Sequence, residues 1–261
     1  MDIVIAYVDG RDPLWQKDYE KYAGAPVLAK RFRDWGTLKF LMRGIQFRMP
    51  FIDNVFLVVS RESQVPEWVS RENVKVVLHE DFIPKEHLPT FNSTTISLFL
   101  HRIPGLGEQF MYFNDDIFPV GDCRPEDYFR DGKVVIGIST HLFVSGMYKH
   151  HVKRSNQLAR KALGKPAIPF FIRPQHSCIP MLKSECDKVF HEQEEVIMNS
   201  LSRLRSNDNL NMSLYMSYMY YQGKVITKRI PCKHVSMAAV TPGSIGKYIS
   251  DPSKSFVCID D

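Results

Sequence analysis

Gln109-Phe-Met-Tyr-Phe-Asn-Asp-Asp116 is the stretch on which the reading of this chain turns. A short apolar and aromatic run stops abruptly at three polar residues, as a buried strand does where it leaves its sheet and enters a turn. Upstream the same grammar recurs. Ile3 to Val8 is apolar and halts at Asp9-Gly10, Asn54 to Ser60 is a second such run, and Val74 to Leu78 a third. Between them lie helical patterns. Arg33 to Phe47 carries Leu38, Leu41, Met42 and Ile45 at helical spacing and stops before Pro50, and Thr94 to His101 is closed by Pro104-Gly105.

Strands alternating with helices predict an α/β fold, with a mainly parallel sheet and flanking helices. Ligands of such sheets bind beyond the carboxyl ends of the strands. Asp9 and Asp115 both fall at those ends, which is the first hint that they share a site. Downstream, Val134 to Ile138 reads as one more strand. The pattern then turns helical over Ser155 to Leu163, Ser184 to Ser202 and Asn209 to Tyr221, before a last strand at Lys224 to Thr227. No repeat or low-complexity linker interrupts it. The expected organisation is a single domain over 1–261, with an α/β portion over 1–140 and a mostly helical portion over 141–261 that completes one site.

Composition bounds the rest. The 261 residues are 44% hydrophobic and 24% charged, which is ordinary for a globular protein. No apolar run reaches the ~20 residues of a membrane-spanning helix. The N-terminus has an acid at position two and no basic region, so it reads as a strand rather than a signal peptide, and the expected location is cytoplasmic. Five cysteines, odd in number and never spaced Cys-x-x-Cys, argue against both a zinc site and a disulfide framework. A net charge of +5 without a recognisable module gives no reason to expect nucleic acid. It fits a pocket for phosphates or an acidic acceptor, but on charge alone a slightly basic surface without function is the better reading.

Singly, the chemical candidates are weak. Asn114-Asp115-Asp116 could hold a divalent cation through carboxylate oxygens, or supply a base, but it is also common turn chemistry. Asp9-Gly10 could bring the backbone close to a nucleotide, yet Asp-Gly is a turn signal too. Arg31, Arg33 and Asp34 put two guanidinium groups at a helix start, where phosphate oxygens are well received; Asp34 is equally a helix cap. Asn92 or Ser93 caps the helix that follows or meets a sugar hydroxyl. His176, in Arg173-Pro-Gln-His176, could act as general acid or base, or donate a hydrogen bond to a phosphate oxygen. Arg205 precedes an aromatic helix whose Met and Tyr stripe reads as core, with Asp208 or Asn209 as its cap. The adjacent pair His150-His151 lacks helical ligand spacing and reads as surface.

In order along the chain, these fragments resemble the Stealth family, which includes bacterial capsular polysaccharide phosphotransferases and the catalytic part of the lysosomal-enzyme N-acetylglucosamine-1-phosphotransferase. Ile3-Val-Ile-Ala-Tyr-Val-Asp-Gly-Arg-Asp-Pro13 is similar to its first conserved region. The second is the strongest match. It runs from Arg31-Phe-Arg-Asp34 through Val65-Pro-Glu-Trp68, His79-Glu80, Leu88-Pro-Thr-Phe-Asn-Ser93 and Leu100-His-Arg-Ile-Pro-Gly-Leu106 to Phe110-Met-Tyr-Phe-Asn-Asp-Asp116. The third lies around His176 and Pro180 and from Arg205 to Tyr221. The fourth is Cys258-Ile-Asp-Asp261, with Asp260 where the family usually has Asn and the given chain ending inside it. Between Cys123 and Lys165 the resemblance is too loose to transfer residues.

The resemblance implies a single catalytic domain with a nucleotide-binding portion over 1–140, and transfer of a sugar 1-phosphate from a nucleotide sugar, commonly a UDP-N-acetylhexosamine, to a hydroxyl of another sugar. It implies Asp115, Asp116, His176 and Arg205 as catalytic, and Asp9, Gly10, Arg31, Arg33, Asp34, Asn92, Ser93 and Asn114 as donor-binding. Asp115 and Asp116 would also hold Mg²⁺ or Mn²⁺. The expected partners are a UDP-sugar and a saccharide acceptor, without nucleic acid or a membrane span, and with peripheral membrane association left open. Two other readings stand beside it: a metal-dependent glycosyltransferase that releases a nucleoside diphosphate, and a non-catalytic saccharide- or nucleotide-binding module.

Overall fold

Ile3, Val4 and Ile5 are each fully buried, because the strand they form is covered on both faces. That strand, β1 (Asp2–Ala6), is the middle of a five-stranded sheet in the computed structural model, which describes residues 1–26, 32, 35–236 and 241–260. Along the chain follow α1 (Pro13–Ala23), α2 (Leu38–Arg48), β2 (Asn54–Val59), β3 (Val74–Leu78), α3 (Ser93–Phe99), β4 (Gln109–Phe113) and β5 (Ile117–Pro119). Then come β6 (Phe129–Arg130), β7 (Lys133–Ile136), β8 (Ile138–His141), α4 (Gly146–Ala162), β9 (Phe171–Pro174) and β10 (Ile179–Leu182). The remainder is α5 (Lys183–Glu192), α6 (Glu194–Ser200), α7 (Ser213–Tyr221), β11 (Val225–Thr227), β12 (Cys232–Ser236), α8 (Pro242–Ser250) and β13 (Phe256–Asp260).

The fold is α/β, and its main sheet runs β10-β4-β1-β2-β3. All neighbours are parallel except β10, which pairs antiparallel with β4. From β1 the chain steps outward through β2 and β3, then returns to place β4 on the other side of β1. The strand order therefore reverses between β1 and β4, and the crevice beyond their carboxyl ends is where such sheets take ligands. Small sheets surround that crevice: β12-β13-β5, β11-β7-β6 and the pair β8-β9.

The expected helices exist with shifted limits. The pattern over Ser184–Ser202 is two helices, α5 and α6, and that over Ser155–Leu163 is the second half of the longer α4. The helical reading of the second half also passed over β9, β10, β12 and β13. Each has only four or five residues and finds its partner far away in sequence, so local periodicity could not mark it. The Met and Tyr stripe of α7 is core as expected, with Leu214 to Met219 all buried. Its cap is not Asp208 or Asn209. Asn211 Oδ1 accepts from the Ser213 backbone N–H at 3.1 Å, while Asn209 closes the preceding turn by accepting from Ser206 N–H at 2.8 Å. The pair His150-His151 divides: His150 is exposed, but His151 is buried and shares a hydrogen bond between Nε2 and the Ser206 carbonyl at 2.6 Å. A helix puts adjacent residues about 100° apart, so one faces water and its neighbour the core.

Candidate active site

Asn114, Asp115 and Asp116 form the tight connection between β4 and β5, closed by Ile117 N–H donating to the Asn114 carbonyl at 3.4 Å. All three line a cavity of about 1460 Å³ at the crevice between β1 and β4. That exceeds the roughly 300–1,000 Å³ of small-ligand pockets, and leaves room for two substrates side by side. Tyr7 and Val8, at the end of β1, line the same cavity.

Asp116 is fixed from a distance. β13 pairs antiparallel with β5, and Ile259 N–H donates to the Asp116 carbonyl at 2.9 Å. The same pairing brings Cys258 Sγ to 3.6 Å from Asp116 Oδ2. His176 reaches the carboxylate from a third direction, with Nε2 3.5 Å from Oδ2. Its turn, between β9 and β10, is held rigidly. Gln175 N–H donates to the Gly137 carbonyl at 2.8 Å, and its side-chain amide brackets Ile230 by giving to the carbonyl and taking from the N–H. Gly137 must be glycine for this, since a Cβ there would stand 2.6 Å from Gln175 Oε1. The His234 ring, from β12, stacks on His176 at 5.9 Å between centroids.

Arg205 enters from the loop between α6 and α7 and donates from Nη2 to Ser93 Oγ at the start of α3; both residues line the cavity. Tyr112 on β4 forms part of the wall. Burial first, then the Asp115 carboxylate, raise its hydroxyl far above the usual phenol value, with Arg205 opposing; it stays a neutral donor. His79, also in the wall, is lowered to about 4 by burial and stays neutral.

Among the expected site residues, Asn114, Asp115, Asp116, His176, Arg205 and Ser93 meet in the cavity wall. Asp9, Gly10 and Asn92 do not. Asp9 turns its carboxylate onto Arg11, accepting from its backbone N–H at 2.9 Å and from Nε at 3.0 Å. Burial alone would raise this carboxyl, but the Arg11 contacts outweigh it and hold it low. Gly10 lets residue 32 pass close by, for a Cβ there would run into the Phe32 carbonyl. Asn92 is fully buried. It caps α3 through Thr94 N–H at 3.1 Å and donates to Asn209 Oδ1 at 3.0 Å and the Ser202 carbonyl at 3.1 Å. Arg31, Arg33 and Asp34 lie outside the described residues.

Sequence reasoning gave no role to His234 or Tyr112, and saw Cys258 only within a family motif. Nothing local marks His234: it joins the site because β12 pairs parallel with β13, His234 against Cys258. Among the described residues, one trio can converge on an ion. It is Asp116, His176 and Cys258, with one ligand atom from each and all within 4.8 Å of one another. Asp115, expected beside Asp116 as a ligand, is not in that trio. Asp116 Oδ1 is buried with no hydrogen-bond partner among the described residues, a carboxylate oxygen that a cation would satisfy.

Comparison with known proteins agrees with the resemblance in sequence. Residues 31–136 match the family profile described as Stealth protein CR2, conserved region 2. The capsular polysaccharide phosphotransferase of Actinobacillus suis is 28% identical, over 95% of this chain and 71% of its own length. That of Haemophilus influenzae is 30% identical over 88% and 68%. The receptor polysaccharide phosphotransferase WefC of Streptococcus oralis is 28% identical over 86% and 79%. A crystal structure of the galactosyltransferase LgtC with donor and acceptor sugar analogs aligns with 99% of this chain and 87% of that one. At 12% identity and a TM-score of 0.47, it is too distant to argue from.

Proposed function

The chain belongs to the Stealth family of polysaccharide phosphotransferases, and from that premise we propose that it moves a sugar 1-phosphate from a UDP-sugar to a saccharide hydroxyl. It is a transferase. The unit proposed is an N-acetylhexosamine 1-phosphate, and the product a phosphodiester within a capsular or cell-surface polysaccharide. We place the reaction in the cytoplasm, a reducing compartment that suits five cysteines outside any disulfide. The observation that carries the reading is convergence. Asp115 and Asp116, His176 and Arg205 come from three separate stretches of chain, and all line one cavity at the switch point of the sheet.

In this reading His176 is the general base. Asp116 faces its Nε2 and orients the ring, which leaves Nδ1 to take the proton of the acceptor hydroxyl. The acceptor oxygen attacks the sugar-linked phosphorus in line, the bond to the bridging oxygen breaks, and uridine monophosphate leaves. Arg205, steadied by Ser93, offers its guanidinium fork to the phosphate oxygens as negative charge builds on them. Tyr112 adds a neutral hydroxyl beside Asp115. Of the trio, only the Asp116 carboxylate is an oxygen donor that suits Mg²⁺ or Mn²⁺. Asp116 would hold such an ion, which when bound would supply positive charge against the diphosphate; His176 stays the base and is not a ligand.

The test is the protein with a panel of UDP-sugars and short saccharides, followed by phosphorus NMR. A new phosphodiester resonance with uridine monophosphate is the expected outcome. Released diphosphate without a phosphodiester would make it a glycosyltransferase, and donor binding with no product would make it a binding module.

A further inference from the structure

One face of the protein is apolar where solvent meets it. Leu142 and Phe143 follow β8, Met147 and Tyr148 open α4, and Ile168 and Phe170 precede β9; all six are exposed, Phe143 by 80%. The fold makes them neighbours. β8 pairs antiparallel with β9, His141 against Phe171, so residues 142–143 leave the ladder at the end where 168–170 enter it. The Arg173 guanidinium lies 5.9 Å from the Tyr148 ring, tying the start of α4 to β9. Arg160 donates from Nε and Nη2 to the Pro166 carbonyl, at 3.1 and 2.6 Å, and holds the loop along the helix. Exposed apolar surface gathered in one place marks an interaction site.

Two features decide what covers it. Five of the six side chains carry no hydrogen-bonding hydroxyl, amide or charge, whereas a saccharide site needs polar groups placed for its hydroxyls. Beside them, α4 holds Lys149, Lys153, Arg154, Arg160 and Lys161 and no acidic residue. Arg154 faces Asp208 at 3.4 Å, but Lys149, Lys153 and Lys161 have no carboxylate partner among the described residues. Apolar tips next to uncompensated lysines suit the boundary of an anionic bilayer, where the tips reach the acyl region and the ammonium groups meet lipid phosphates.

We propose that this ledge, at residues 142–148 and 168–170 with the lysines of α4, docks the protein on an anionic lipid surface. His141, Met147, Tyr148 and Arg173 also line the cavity, so docking holds the cavity mouth near whatever acceptor the membrane carries. The inference depends on neither the donor nor the reaction proposed above, because lipid binding is read without turnover.

Co-sedimentation of the full chain with vesicles tests it, using phosphatidylcholine alone and phosphatidylcholine mixed with phosphatidylglycerol. The expected result is binding only to the mixed vesicles, weakened by salt. It should be about tenfold weaker for Phe143→Ser with Phe170→Ser, and again for Lys149→Glu with Lys153→Glu. Thermal melts that match the parent separate lost docking from lost fold. Should a paired variant fail that control, the single Phe143→Ser carries the measurement. The proposal is overturned if the parent ignores mixed vesicles, if the folded variants bind like the parent, or if a soluble phosphodiester-linked saccharide displaces the lipid from these residues.

Discussion

Two strands of one sheet, β1 and β4, end side by side in aspartates, at Asp9 and Asp12 after the first and at Asp115 and Asp116 after the second. In sequence the two turns look alike, an apolar run followed by acid. In the structure their carboxylates do different work. Asp12 caps α1 by accepting from Leu14 and Trp15 N–H at 2.8 and 3.2 Å, and takes a further hydrogen bond from Ser63 Oγ at 2.6 Å. Asp9 is occupied by Arg11. Asp116 turns Oδ2 to His176 and Cys258, and its Oδ1 has no hydrogen-bond partner among the described residues. A carboxylate whose lone pairs are filled holds a turn together, and one left with an open oxygen can hold an ion or orient a base.

Mutation at the β4 end should have the largest effect. His176→Ala and Asp116→Ala are expected to lower kcat by roughly 10²–10⁴-fold with the thermal melt little changed, as loss of acid–base catalysis does. Near-parent turnover in a folded Asp116→Ala protein would break the comparison outright. Next comes Arg205→Ala, with an expected loss in kcat on the order of 10²–10³-fold, as for removal of a charge-stabilising donor; Arg205→Lys should recover only part of it.

The third prediction uses pH. His79 and His101 are lowered from 6.5 to about 4, each by burial, so both imidazoles are neutral in the folded protein. Below pH 6.5 the unfolded chain takes up protons that the fold refuses. Stability should therefore be full above that value, fall as pH drops toward 4, and fall no further from these groups below it. At roughly 1.4 kcal/mol per pKa unit, each contributes a loss of about 3 kcal/mol by the acid end. His101 is buried against Phe190 and Tyr215, with no hydrogen bond at either ring nitrogen among the described residues and the Asp187 carboxylate 3.9 Å from Nε2. His101→Phe should therefore flatten the acid limb of urea-denaturation midpoints, and an unchanged limb would show that His101 does not drive it.

The β1 end should respond more weakly and in a different quantity. Asp12→Ala removes a helix cap and should cost about 1–2 kcal/mol in chemical denaturation, with kcat per folded molecule retained. Smallest is Asp9→Asn, whose partly exposed ion pair with Arg11 is worth under about 1 kcal/mol. If this variant lost turnover by about a hundredfold while folded, the β1 end would belong to the chemistry as well, and the contrast between the two turns would collapse.

Much of this was legible in advance, for identifiable reasons. The central strands β1, β2 and β4 are mainly apolar runs, because a sheet covered on both faces leaves no polar side to alternate with, while the edge strand β3 carries the exposed Lys75. The aspartates at their ends are visible because strands stop in turns. Asn92 shows where local reading stops. It could cap α3 or meet a sugar, and its contacts to Ser202 and Asn209, more than a hundred residues on, make it a buried joint. His234 gave no signal at all, being one of nine histidines and brought in by a strand pairing.

What the sequence determined by itself was the α/β alternation, the strand ends that carry acid, and the ordered motifs that pointed to the family. Hydrophobic period and turn chemistry act over a handful of residues, so they can be read without the fold. Which acid became the open one was decided only in three dimensions. β13 had to lie against β5, and the β9–β10 turn had to be pinned by Gln175, before Asp116 could face His176 and Cys258. Those contacts join residues some 60 to 140 positions apart, and long-range strand register follows from the packing of the whole core rather than from any local signal.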